Sequence, residues 1–403
     1  MAEQPGRVAA GAAVDTESVS RGWVRIDPRH RTGGNIDSRF VGFSIEWSLI
    51  ERYMGPHARP GFANLLANLD SGILRIGGSS QDQMRFDLAA ENSNQVITPE
   101  DIAAIRDTLD RSDAAGDADR LDHWAVVLGT ALARASTNRP WIGPERTRTF
   151  IEQGVRPAFA GSDPDDIAGI ELGNEPDLSY GSHLPPYLDR FREYVAADAT
   201  EGLPIIVPAT SEPIAAWQRI AAREVSTRFF WDWPEILDTT APAMHATASE
   251  RGTWAADHFY PMARGCTTDP YRCPTIPRLL SDERMENFNY GAYKHANGAA
   301  QRELGYRLQE INTSAGRGAE GVSDVAASAT WALYTMFNAA CPQPPDLPGV
   351  NTACKIGANR VNFHNAEVNA FYRPEATPTT TRSATTPPRG WVLRARRPST
   401  THS

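Results

Sequence analysis

Ile170-Glu171-Leu172-Gly173-Asn174-Glu175-Pro176-Asp177 is the stretch on which the fold turns. An apolar run ends in glycine, and Pro176 cannot donate to a strand ladder. The pattern predicts a strand that stops at a polar, carboxylate-bearing tip. The same form recurs at Tyr306-Arg307-Leu308-Gln309-Glu310-Ile311-Asn312-Thr313. Working outward, the short apolar runs Phe40–Trp47, Gly72–Gly77, Trp124–Leu132, Ile167–Gly173, Pro204–Ala209, Asp257–Tyr260, Tyr306–Ile311 and Arg360–His364 read as eight strands. Helical stretches are expected between them at Phe62–Leu69, Pro99–Leu109, Thr147–Val155, Pro186–Ala197, Pro213–Val225, Tyr290–Leu304 and Val322–Asn338, the last with Ser323 as its cap. Such alternation predicts an α/β chain with a parallel sheet, a TIM (β/α)8 barrel lacking its final helix.

The chain has 403 residues, 41% apolar and 22% charged, with 40 Lys+Arg against 49 Asp+Glu and a net charge of −9. Mean hydropathy is −0.43, and no apolar run is long enough to cross a bilayer. An acidic balance argues against nucleic acid or an anionic membrane surface as partner, since phosphates call for a basic footprint. The chain reads as a monomer. Its four cysteines fall in two close pairs, Cys266/Cys273 and Cys341/Cys354, without the neighbours of a zinc site. Two local disulfides, and with them a secreted or extracytoplasmic location, are one reading; four reduced thiols in a cytoplasmic enzyme are the other. Met1–Ser20 contains no apolar segment of the signal-peptide kind.

In a parallel barrel the strand C-termini face the active site, and the strand count puts Glu175 on strand four and Glu310 on strand seven. These strands lie across the mouth from each other, so two carboxylates can flank one bond. That is the equipment for glycoside hydrolysis, in which one carboxylic acid protonates the leaving oxygen and the other attacks the anomeric carbon or activates water. An ordinary strand-end glutamate paired with arginine is the alternative for either residue taken alone.

With those two tips, Phe40-Val41-Gly42-Phe43-Ser44-Ile45-Glu46-Trp47, Leu74-Arg75-Ile76-Gly77-Gly78-Ser79-Ser80-Gln81-Asp82 and Gly321-Val322-Ser323-Asp324 complete a set of motifs in order. The chain resembles clan A glycoside hydrolases and, more closely, family 79, the β-glucuronidases and heparanase-like endoglucuronidases, from about Gly22 to Tyr372. The resemblance implies Glu175 as general acid/base and Glu310 as nucleophile, in double displacement with no metal or organic cofactor. It also implies a β-linked carbohydrate substrate, with a β-glucuronide foremost. An endo-acting hydrolase of acidic polysaccharide and an inactive sugar-binding remnant are the competing functions.

Supporting roles follow. The resemblance implies that Asn174 bonds the sugar 2-hydroxyl and that Tyr260, in Asp257-His258-Phe259-Tyr260, lies near the nucleophile. His258 itself reads as a satisfied buried histidine. Glu46 would accept from sugar hydroxyls or else pair with Arg75, and Ser79 would meet the same sugar or serve as a turn residue. Trp331 and the aromatics around it read as core. The loop Ala315-Gly316-Arg317-Gly318-Ala319-Glu320 lacks the aromatic that family members use for the uronate carboxylate, so Arg317 would bind it or point to solvent. Tyr372 is the remaining candidate tyrosine.

Three segments are expected: residues 1–39, with one strand-like piece at Gly22–Asp27; the catalytic barrel, 40–372; and a tail, 373–403. That tail holds eight Thr, six Arg, five Pro and three Ser, a composition expected to be disordered. The family's C-terminal β-sandwich is not readable there, so the sequence reads as a truncated or frameshifted member.

Overall fold

A computed structural model describes residues 36–55, 61–90, 96–116, 122–133, 142–215, 217–225, 228–248, 252–264, 270–344, 349–351 and 353–365. Gly22–Asp27, Cys266, Tyr372 and the tail lie outside the described residues. Eight strands form one closed barrel: β1 (Val41–Glu46), β2 (Ile73–Gly77), β3 (Ala125–Thr130), β4 (Ile167–Leu172), β5 (Ile205–Ser211), β6 (Trp254–Phe259), β7 (Gly305–Ile311) and β8 (Arg360–Asn365). The order around it is β1-β8-β7-β6-β5-β4-β3-β2, and every neighbouring pair is parallel. The fold is a TIM (β/α)8 barrel, as the alternation of runs predicts.

The surrounding helices are α1 (Gly61–Ala67), α2 (Pro99–Ala115), α3 (Pro144–Phe150, running through a π turn at Ile151–Val155 into Arg156–Ala158), α4 (Leu184–Ala196), α5 (Trp233–Ala246), α6 (Asp282–Ala300) and α7 (Ala326–Ala340). Thr98 caps α2 with a capping box to Asp101, and Ser281 caps α6 by accepting from the Arg284 N–H. Strand faces turned outward meet the buried faces of these helices in the main apolar core, which includes Ile76, Leu128, Ile170, Val207, Leu308 and Val361. A smaller apolar cluster of Ile73, Ala125, Val127, Ala168, Ile206, Trp254 and Ala256 joins strands β2 to β6.

Two helix expectations are corrected. Pro213–Val225 is helical only over Trp217–Ala221, and the main helix between β5 and β6 is α5. Pro234 stands in the first turn of α5 and Pro242 inside it, and such residues break a sequence pattern although packing of Trp233, Ile236, Leu237 and Met244 carries the helix through. Ser323 does not cap α7; Val325 precedes that helix without a side-chain bond, while the Ser323 hydroxyl accepts from the Ala319 N–H and bonds Thr313. Trp331 is buried and packs edge-on against Phe363, but its neighbours Leu333, Tyr334 and Phe337 are exposed rather than core. Cys341 and Cys354 form a disulfide across the α7–β8 loop, and Cys273 is also disulfide-bonded.

Candidate active site

The barrel's C-terminal end gathers Glu46, Ser79, Asn174, Glu175, Tyr260 and Glu310, because each lies on or just past a strand tip. Glu175 follows β4 and takes the left-handed conformation, φ 46° and ψ 58°, immediately before a short helix at Pro176–Tyr180. Glu310 sits one residue from the end of β7. His258, on β6, stands between them, its Nδ1 3.3 Å from Glu175 Oε1 and 3.7 Å from Glu310 Oε2. One carboxylate oxygen of each glutamate and this nitrogen all lie within 4.8 Å of one another. Tyr260, just past β6, donates to Glu310 Oε1 at 2.6 Å.

Beneath the pair lies Arg75 of β2, fully buried. Its Nη1 donates to Glu310 Oε2 at 2.6 Å and to Ser44 Oγ at 3.0 Å; its Nη2 donates to Asn174 Oδ1 at 2.9 Å. Nε and Nη2 form a fork on Glu171 at 3.0 and 2.5 Å. Glu171 accepts in addition from Gln309 Nε2. These bonds join β1, β2, β4 and β7, which are not all neighbours, so they cross the barrel interior.

The charges set the protonation of the site. Burial pushes the Glu310 carboxyl up, but the positive charges of His364, His258 and Arg75, with the Tyr260 hydrogen bond, outweigh it and hold the group well below the usual carboxylate range. Glu310 is therefore an anion at neutral pH. Burial and then the Glu310 charge push the Tyr260 phenol well above its ordinary value, so it stays a donor. Burial lowers His258, yet the Glu310 charge and the Glu175 hydrogen bond raise it overall.

Asn174 is buried, with Oδ1 taken by Arg75, so what its side-chain amide has left to offer a ligand is its N–H groups. Glu46 does not pair with Arg75. It accepts from the Ser79 N–H at 3.2 Å, the Ser80 N–H at 2.9 Å and Ser80 Oγ at 2.5 Å, with His364 Nε2 3.6 Å away. Gly78, at φ +73°, makes that turn: a Cβ there would stand 2.5 Å from Glu46 Oε2. Ser79 is exposed at the rim, and the hydroxyl bonded to Glu46 belongs to Ser80. Arg317 is half-buried at φ +81° between Gly316 and Gly318, both also at positive φ. Tyr372 cannot be placed, being outside the described residues.

Sequence reasoning passed over Arg75, Glu171, Ser44 and His364 as site residues, and treated His258 as core. The signal was there in Leu74-Arg75-Ile76 and Ile170-Glu171-Leu172, where opposite charges interrupt apolar runs. A charge in a buried strand needs a partner, and each of these is the other's.

Two sets of described residues present clustered ligand atoms, Glu175/His258/Glu310 and Glu212/Asp257/His295. In the first, Arg75 already supplies the cation beside Glu310. In the second, His295 Nδ1 lies 2.5 Å from Asp257 Oδ2 and 2.9 Å from Glu212 Oε1, hydrogen-bond spacings shorter than ligands around one ion keep. Neighbouring Lys294 adds positive charge, although burial lowers its pKa to about 8.

No family model matches the chain, and no curated protein matches it. Solved structures do. A 4-O-α-L-rhamnosyl-β-D-glucuronidase from Fusarium oxysporum 12S is similar over 83% of this chain and 64% of its own, at 15% identity and TM-score 0.51. The GH39 enzyme of Xanthomonas axonopodis pv. citri matches over 83% and 60%, at 13% identity and TM-score 0.48. A monomeric β-xylosidase from Caulobacter crescentus CB15 matches over 82% and 61%, at 14% identity and TM-score 0.47. The chain thus spans under two thirds of each of these three proteins. At such identities the likeness to the first is one of fold, and that fold is the TIM barrel.

Proposed function

We propose that the protein is a retaining glycoside hydrolase of clan A that cleaves a β-linked glycoside, foremost a β-glucuronide. The observation that carries this reading is the approach of Glu175 and Glu310 to within 4.8 Å across the barrel mouth. Retaining enzymes hold their carboxyl groups about 5–5.5 Å apart, whereas inverting ones leave about 6.5–9.5 Å for a water. Ionised Glu310 attacks the anomeric carbon as Glu175 gives its proton to the leaving oxygen, breaking the glycosidic C–O bond and forming a glycosyl ester. Glu175 then takes a proton from water, whose oxygen displaces Glu310. Tyr260 and Arg75 hold the nucleophile ionised and aimed, and Asn174 is offered to the sugar 2-hydroxyl.

The preference for a glucuronide is supported by the family 79 motifs and by the activity of the Fusarium structural neighbour. The test is a panel of aryl β-glucuronide, β-glucoside and β-xyloside with wild type, Glu310→Gln and Glu175→Gln. Glucuronide turnover that drops by about three orders of magnitude in Glu310→Gln is expected, in line with loss of a nucleophile. Turnover of the glucoside alone would move the substrate class; none from folded wild type would favour the inactive remnant.

A further inference from the structure

Glu175 occupies a left-handed backbone conformation that L-residues disfavour, so something must hold it there. The flanking backbone does part of this: the Gly173 N–H donates to Thr130 O at 2.8 Å and the Glu175 N–H to Ala209 O at 2.9 Å. Two buried aspartates do more. Asp82, in the loop after β2, accepts from the Leu132 and Ala133 N–H groups at 3.1 and 3.2 Å with one oxygen, and from the Asn174 N–H at 3.4 Å with the other. Asp177, two residues past Glu175, accepts from the Ser211 N–H at 2.8 Å and from Ser211 Oγ at 2.5 Å. Asp82 is 8% exposed and Asp177 1%.

We propose that Asp82 and Asp177 are positioning residues: they fasten the Asn174–Glu175 loop to the ends of β3 and β5 and so fix where the Glu175 carboxyl points. The inference rests on the reading of Glu175 as acid–base group. A carboxylate suits the task because each oxygen accepts N–H bonds with charge assistance, and Asp82 uses both oxygens at once. At position 82 an asparagine would replace one accepting oxygen by a donor and set it against an N–H; at position 177 its amide can still donate to the Ser211 hydroxyl, so removing that fastening takes an alanine.

Displacing a general acid leaves a particular signature. A basic alkoxide cannot leave without its proton, whereas a dinitrophenolate leaves unaided. Loss of aim at Glu175 should therefore slow glycosylation in proportion to leaving-group basicity, while a general loosening of the fold slows all substrates alike. The experiment compares Asp177→Ala, Asp82→Asn and Ser211→Ala with wild type on the methyl and 2,4-dinitrophenyl β-glycosides of the sugar that wild type turns over. The reading is kcat/KM, which reports the first step.

For the two aspartate variants the expected result is a fall of about 10- to 100-fold on the methyl glycoside, the scale of a small misplacement of a reacting group. The dinitrophenyl glycoside should change by less than about 3-fold. Ser211→Ala, which keeps the Asp177 charge and the backbone bond of residue 211 to it, should show the same selectivity at smaller size and decides the matter if an aspartate variant fails to fold. Equal losses on both substrates, or none, overturn the proposal. Glu175→Gln on the same pair, with azide restoring turnover of the dinitrophenyl glycoside, tests the acid–base reading separately. If that variant shows no selectivity, it is the reading of Glu175 that fails.

Discussion

Arg75 receives more of the mouth's architecture than either glutamate. It forks onto Glu171, steadies Glu310 and holds Asn174, all without contact with solvent. Replacing it with methionine keeps volume but leaves Glu171 as an uncompensated buried charge, a loss on the order of 3–5 kcal/mol. Urea unfolding of Arg75→Met should show a midpoint lowered to that extent. The same change removes a positive charge from beside Glu310. Its carboxyl pKa must then rise, so the acid limb of the pH profile of kcat/KM moves upward in any variant that still turns over substrate. A smaller probe is Gly78→Ala. Its Cβ would press on the Glu46 carboxylate at a positive-φ site, so KM should rise several-fold while stability falls by about 1 kcal/mol, measured by steady-state kinetics and thermal melting.

At the scale of elements, the disulfide Cys341–Cys354 closes the segment between α7 and β8, the last described connection of the barrel. Cross-linking across 13 residues restricts the unfolded chain by about 3 kcal/mol. The double replacement Cys341→Ser/Cys354→Ser should lower the unfolding free energy by about 2–3 kcal/mol, and a reducing agent, which also opens the bond at Cys273, should lower it in wild type by at least as much. Strands were the legible part of this fold, since seven of the eight predicted runs agree with the observed strands to within two residues at either end; only Asp257–Tyr260 misses the start of β6, at Trp254. Central strands of a parallel barrel are buried on both faces, so their sequences are mostly apolar runs bounded by turns, broken here only where a buried polar residue finds a partner. Helices were less legible. Pro234 and Pro242 hid α5, and α7 kept its position while its cap moved from Ser323 to Val325. In the site, Glu175 and Glu310 could be read because they end strands. Ser80 and His364 could not, because their roles depend on partners from strands far apart in sequence, Glu46 for the first and Ser44 for the second.

Across the whole molecule, buried histidines give stability a pH dependence whose direction can be worked out. Burial lowers His295, but the Glu212 charge and the hydrogen bonds to Asp257 and Glu212 outweigh it and raise its pKa above the ordinary 6.5, with Lys294 opposing. A raised folded-state pKa contributes stability that is full below about pH 6.5 and is lost as pH climbs through the folded value. The difference in melting temperature between wild type and His295→Gln should thus be largest near pH 6 and shrink toward pH 9. Glu310 acts in the opposite sense: its depressed pKa contributes stability above its ordinary 4.5 that disappears as the solution becomes more acid.

TIM barrels usually fill their interior with layers of branched aliphatic side chains. Here Ser44, Arg75, Glu171, Arg307, Gln309 and Asn362 are fully buried and bonded across the strands, with Arg307 reaching Asn362 and Asn362 reaching the Ile73 carbonyl. Unfolding hydrates these polar groups, and hydrating polar surface lowers the heat capacity whereas hydrating apolar surface raises it. The heat-capacity increment of unfolding should consequently be smaller than for an aliphatic-filled barrel of equal length. Calorimetry would then trace a flatter stability curve, less sensitive to cooling and declining more gently toward the melting point.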